Sequence, residues 1–131
     1  EDISYREELN KGMSLSGMEL DDIFLANPNN KGLQTAQLLN GSTGIEINYT
    51  VDQSFKHWVV YNKDGKSDFL CPEPYTWVTN APNLKVKAEL TGIQGIEPGE
   101  KKILRTWIVV THKKIDSKTT ILGGYKHELF Y

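Results

Sequence analysis

Cysteine is nearly missing from this chain. Cys71 is the one thiol in 131 residues, so no internal disulfide can form, and a reducing compartment such as the cytoplasm is expected. Long apolar runs are missing too: none approaches the ~20 residues of a membrane span. No segment has the basic start, apolar centre and small-residue cleavage site of a secretory signal. Without such a signal, the glycosylation-type matches Asn40-Gly-Ser42 and Asn48-Tyr-Thr50 read as chance. Neither charge dominates. With 15 Lys+Arg against 17 Asp+Glu the net charge is −2, which argues against a general nucleic-acid binder. There is no glycine-rich phosphate loop and no His/Cys/Asp cluster at metal-ligand spacing. No histidine is near Cys71 in sequence to make it a nucleophile, so it reads as a small buried apolar group.

What is present is a run of strands and turns. The length suits a single domain over residues 1–131, with one core. Residues 45–51 alternate: Ile45, Ile47, Tyr49 and Val51 are expected to face a core, and Glu46, Asn48 and Thr50 water or a groove. The turn Asn40-Gly-Ser-Thr-Gly44 joins this run to a strand over 33–39 as a hairpin. Residues 27–32 form a second turn signal, after a strand over 20–26. A third run, 57–61, turns at Asn62-Lys-Asp-Gly65 toward the stretch holding Glu73. Residues 86–91 and 103–111 read as further strands, split by Glu97-Pro-Gly-Glu100, and 119–122 and 128–131 as short ones. Residues 1–10 tolerate a helical turn, and 112–118 read as a polar loop. Strands at this spacing without helical periodicity predict an all-β antiparallel sandwich or barrel. Lys101, Lys102, Arg105, Lys113, Lys114 and Lys118 gather around Trp107; they read as charged protection of strand edges rather than a nucleic-acid patch.

The most informative stretch is Cys71-Pro-Glu-Pro-Tyr-Thr-Trp77, with Asn80-Ala-Pro-Asn83 behind it. Each proline drives the residue before it into an extended conformation, removes a backbone donor and fixes a φ angle. Glu73 is therefore aimed by a stiffened segment, with Tyr75 and Trp77 following at period two. A fixed acid beside aromatic rings suits general acid/base work on a sugar. The alternative is a proline-rich edge strand with a solvated glutamate.

Taken in order, Leu20-Asp-Asp-Ile-Phe24, Gly44-Ile-Glu-Ile-Asn-Tyr-Thr50, residues 55–61, Phe69-Leu-Cys-Pro-Glu-Pro-Tyr-Thr-Trp77, Asn80-Ala-Pro-Asn83 and Pro98-Gly-Glu100 resemble the C-terminal portion of the aldose 1-epimerase (galactose mutarotase) family. The resemblance covers roughly residues 16–110; the tail, 111–131, is atypical. It implies a twisted antiparallel β-sandwich of which this chain is the C-terminal part. It also implies an isomerase that interconverts the α and β anomers of a free hexose-type sugar without cofactor or metal. In that family a glutamate takes the proton from the C1 hydroxyl, a histidine protonates the ring oxygen, and the C1–C2 bond rotates before reclosure. Glu73 matches the base. Asp21, rather than Asp22, matches the sugar-binding aspartate, and Trp77 is a further candidate sugar contact. A base gains from partial burial, which Phe69 and Trp77 are placed to provide.

One part of the family pattern is missing. Its histidines lie in a His-Pro-Tyr-type segment upstream of the aspartate motif, whereas His57, His112 and His127 all follow Asp21. His57, beside Trp58, reads as a surface or edge residue. The chain is thus expected to carry a base without a general acid, and half a sandwich would expose apolar faces. A second chain or a homo-oligomer is expected to complete it. Two alternatives are a non-catalytic carbohydrate-binding sandwich and an assembly fragment that binds no sugar.

Overall fold

The computed structural model describes residues 6–67, 69–113 and 127–130. Helix α1 (Arg6–Lys11) is followed by strands β1 (Met13–Ser14), β2 (Asp21–Leu25), β3 (Gln34–Asn40), β4 (Ile45–Val51), β5 (His57–Tyr61) and β6 (Cys71–Tyr75). A 3-10 turn at Ala81–Asn83, helix α2 (Ala88–Thr91), β7 (Thr106–His112) and β8 (His127–Phe130) complete the order. The strands form two antiparallel sheets. The larger runs β1-β8-β3-β4-β7 and the smaller β2-β5-β6. Among the described residues no helix is long and apolar enough to cross a membrane.

The sheets share one core. Ala36 and Val51 of the larger sheet pack with Trp58 and Val60 of the smaller one, joined by Leu9, Leu15, Leu20 and Phe55. Tyr49 meets Trp58 edge-on, with ring centroids 5.6 Å apart, the geometry that the aromatic quadrupole favours. Polar groups within this core bond one another: the Trp58 indole N–H donates to Gln34 Oε1 at 3.1 Å, and Gln34 Nε2 donates to the Phe55 carbonyl at 2.7 Å. The predicted hairpin is β3–β4, with Gln34 opposite Val51.

Two sequence expectations are overturned. Residues 86–91 do not form a strand. Ala88, Glu89 and Leu90 are good helix formers, and Gly92, at φ 73, closes α2 with its N–H on the Ala88 carbonyl. The inside–outside reading of β4 also fails at one end. Glu46 is 7% exposed and Ile45 40%. Glu46 is ion-paired to Lys113 and accepts from Asn48 Nδ2 at 2.9 Å. These bonds hold its carboxyl below the usual range, with Lys113 the larger cause. Ile45 pairs with His112 of β7 at the end of the β4–β7 ladder, where its side chain stays exposed. The candidate strand over 119–122 lies outside the described residues, as do most of the polar loop over 112–118 and the side chain of His127.

Candidate functional site

Side chains at every second position of a strand share a face, so the register of the smaller sheet decides what meets Glu73. Asp21 stands opposite Tyr61, which stands opposite Cys71; Ile23 opposite Val59 and Val59 opposite Glu73; Leu25 opposite His57 and His57 opposite Tyr75. All nine lie on the face turned away from Trp58 and Val60. Asp21 and Glu73 therefore share this outer face, with β5 between them. Strands lie about 4.8 Å apart, which separates the two carboxylates' strands by about 10 Å. Both line an open cleft of about 750 Å³ with Asp22, Ile23, Val59, Tyr61, Tyr75, Val78, Thr79 and Leu84.

Each carboxylate is positioned by its local chain. Asp21 opens β2 directly after Leu20. The Leu20 N–H donates to Asn62 Oδ1 at 2.7 Å, the Asn62 N–H donates to the Leu20 carbonyl at 3.1 Å, and Asn62 Nδ2 reaches the Met18 carbonyl. Asn62, 3% exposed, so fixes the start of β2 against the end of β5. Glu73 is held by β6, an edge strand. The Tyr75 carbonyl accepts from the Lys56 N–H at 2.8 Å. Backbone polar groups alternate in direction along a strand, so Cys71, Glu73 and Tyr75 face β5. Pro72 and Pro74 occupy the positions whose donors would point outward. The proline spacing thus costs the ladder nothing while it stiffens the strand.

Around Glu73 the chemistry is coupled. The Tyr75 hydroxyl donates to Glu73 Oε2 at 3.0 Å. That bond, with the negative charge of Glu73, raises the phenol above its ordinary range, so it stays a proton donor. Cys71 is half-buried on this same face, rather than packed in the core as its residue type suggested. Burial, then a hydrogen bond to Glu73, raises its thiol, so it too stays protonated. Among the described residues no three His, Cys, Asp or Glu side chains gather where they could hold a metal ion.

Other sequence candidates fall elsewhere. Trp77 is 42% exposed and lines a separate hollow with Thr76, Gln94, Ile96, Lys102 and Leu104. Phe69 stacks edge-on against Tyr61, centroids 5.8 Å apart, rather than beside Glu73. The Asn80-Ala-Pro-Asn83 segment makes a tight turn behind the cleft wall: Asn80 has φ 62, and Asn83 Nδ2 donates to Asn80 Oδ1 at 2.6 Å.

His57 is not a surface residue. It sits on the central strand of its sheet at 4% exposure, because the 76–92 segment folds over it. Nε2 lies 2.9 Å from the Leu90 carbonyl, which makes it the donor. Nδ1 is buried and has no partner. Burial lowers its pKa from the ordinary 6.5, partly opposed by the Leu90 bond. The Val78 N–H on the Thr91 carbonyl, at 2.8 Å, ties down the same segment. A side chain at Gly92 would meet the Thr76 carbonyl at 2.5 Å. Tyr75 and His57 were legible as site neighbours only through strand parity: Tyr75 is two residues from Glu73, and His57 needs the β5–β6 register.

No protein-family model matches the chain.

Proposed function

We propose that the chain carries one half of an aldose 1-epimerase-like site, in which Glu73 is the general base for interconverting the anomers of a hexose-type sugar. The observation that supports it is the pairing of Asp21 and Glu73 on one face, in one open cleft. The Glu73 carboxylate accepts from the Tyr75 hydroxyl and from the Cys71 thiol, and its remaining lone pairs receive a proton from the sugar's C1 hydroxyl. Asp21 accepts a hydrogen bond from a second hydroxyl, and Ile23, Val59 and Tyr61 offer an apolar floor to the C–H face of the ring. As the C1–OH proton moves to Glu73, the C1–O5 bond breaks and O5 takes a proton from an acid. The open aldehyde rotates about C1–C2, and the reverse transfers close the other anomer.

The acid is supplied from outside the cleft described. His57 is on the right face, but its ring is buried and its Nε2 is engaged by Leu90. A single unpaired thiol fits a reducing compartment such as the cytoplasm. Polarimetry on fresh α-anomer is the test. Glu73→Gln is expected to remove at least a hundredfold of the rate, the usual worth of a positioned base; an unchanged rate removes Glu73 from the mechanism. The second reading is a sugar-binding module without catalysis, which the lack of a histidine in the cleft among the described residues favours. Saturable binding by calorimetry, lost in Asp21→Ala, with no acceleration by the wild type, would select it.

A further inference from the structure

Strand β7 is the most exposed regular element of the described chain. All seven of its residues are exposed, and it forms one edge of the larger sheet. Its side chains are apolar on both faces: Trp107 and Val109 on one, Ile108 and Val110 on the other, each between 45% and 63% exposed. An exposed patch of this kind marks an interaction site.

The backbone says what fits there. The Arg105 carbonyl accepts from the Asp52 N–H at 3.1 Å, and the Lys113 N–H donates to the Gly44 carbonyl at 2.8 Å. Odd-numbered residues therefore face β4. By alternation, Thr106, Ile108, Val110 and His112 turn both N–H and C=O away from the sheet. Among the described residues, nothing pairs with them. Four consecutive outward positions form a ladder edge whose complement is another extended strand.

We infer that the complement is a second copy of this chain, with β7 pairing β7 antiparallel about a two-fold axis at Val109. The register that engages all four outward residues of both copies is unique. Thr106 meets the partner's His112, and Ile108 meets the partner's Val110. In the intervening pairs Trp107 meets the partner's Thr111, and Val109 meets the partner's Val109. The centre is thus apolar against apolar on both faces, with no charged residue between Thr106 and Thr111. At the ends Arg105 meets the partner's Lys113, a like-charge pair that would ordinarily oppose assembly. Each has an acid nearby in its own copy. Lys113 is ion-paired to Glu46, and Arg105 lies in the field of Asp52, whose carboxyl is held below its usual range despite burial by bonds from Ser54 and Arg105. The inference does not depend on the sugar reading.

The test uses the whole 131-residue chain. Sedimentation is expected to show a monomer–dimer equilibrium. Val109→Cys is expected to give a disulfide-linked dimer on mild oxidation, because the residue faces its own copy across a non-hydrogen-bonded pair, about 4.5 Å between Cα atoms, within disulfide reach. Trp107→Cys is expected not to link, because its own copy lies about 14 Å along the strand. Wild type, with Cys71 alone, is the blank. Val110→Pro removes one outward donor and no bond to β4, so it should weaken dimerisation at least tenfold while leaving the circular dichroism spectrum of wild type. Val110→Lys is the second variant should the proline perturb folding, and is expected to weaken dimerisation likewise. A monomer at every concentration overturns the inference, including one whose Ile108 and Val110 amides exchange slowly because residues 114–126 or another polypeptide hold the edge. So does a dimer that ignores both Val110 variants and leaves Val109→Cys unlinked.

Discussion

Strands β6 and β7 are both edge strands of antiparallel sheets, and they solve the edge problem in opposite ways. β6 places Pro72 and Pro74 where a visiting strand would need donors, while Cys71, Glu73 and Tyr75 bond to β5, and Glu73 and Tyr75 present their side chains to the cleft. β7 has no proline and no acidic or Lys/Arg side chain between Thr106 and His112, and among the described residues no strand pairs with its outward donors. Edges left in that state attract other strands. The contrast separates two roles by chemistry alone. The closed edge holds Glu73 at the cleft, and the open one leaves a row of backbone groups without a strand partner among the described residues. The basic residues read from sequence as edge protection do not protect β7: Lys101, Lys102 and Arg105 precede the strand and Lys113 follows it.

The largest effect expected from breaking this contrast comes from moving a proline by one position. Val109→Pro removes a donor that faces β4 rather than solvent, and should destabilise the chain by about 3 kcal/mol, the upper end of the cost of leaving a hydrogen-bond partner unmet. Val110→Pro should leave the urea midpoint near wild type. Equal losses for the two would refute the assigned direction of the β7 backbone. Next in size is Asn62→Ala. It leaves the Leu20 N–H and Met18 carbonyl without their side-chain partner in a buried place, at about 2 kcal/mol. Because Asn62 holds the start of β2 beside Asp21, sugar affinity should fall in parallel with stability. Loss of stability at undiminished affinity would show that Asp21 is positioned by other means. A smaller effect on folding is expected from the double variant Pro72→Val and Pro74→Val, which restores donors to the outer edge of β6. Stability should change by less than about 1 kcal/mol, but light scattering should rise with concentration as a second open edge appears.

Much of this frame was legible in the sequence. Strict alternation located β4 to the residue, and the turn residues located the β3–β4 hairpin. The all-β class followed from strand spacing, and Asp21 and Glu73 were named before any register was known. Several assignments were not legible, each for a physical reason. Alternation cannot say where a core ends, so Ile45 was assigned to one that does not extend over it. Residues 86–91 are apolar enough for a strand, but Ala88-Glu-Leu90 and Gly92 decide locally for a turn of helix. Trp77 continues the period-two pattern of Glu73 and Tyr75, yet β6 ends at Tyr75 and the pattern no longer describes a face. His57 was read as exposed because its cover comes from Leu90, 33 residues away.

His57 gives the last and smallest test, and it bears on the closed edge directly. The ring stands opposite Tyr75 on one side and Leu25 on the other, under the segment that carries Leu90. In the folded chain its pKa lies below the ordinary 6.5, so the unfolded chain binds the additional proton as pH falls. Stability from the neutral ring is present in full above about 6.5 and is lost as pH falls through the lowered folded value. Its loss should loosen the Leu90 tie and expose the outer face of β5 next to Tyr75 and Glu73. His57→Gln keeps a donor for the Leu90 carbonyl but cannot titrate. It should flatten the dependence of the urea midpoint on pH below neutrality while leaving stability at pH 8 close to wild type. If the slope persists in His57→Gln, the acid sensitivity belongs to the carboxylates Glu46 and Asp52, which lose their own stabilising charge only at lower pH.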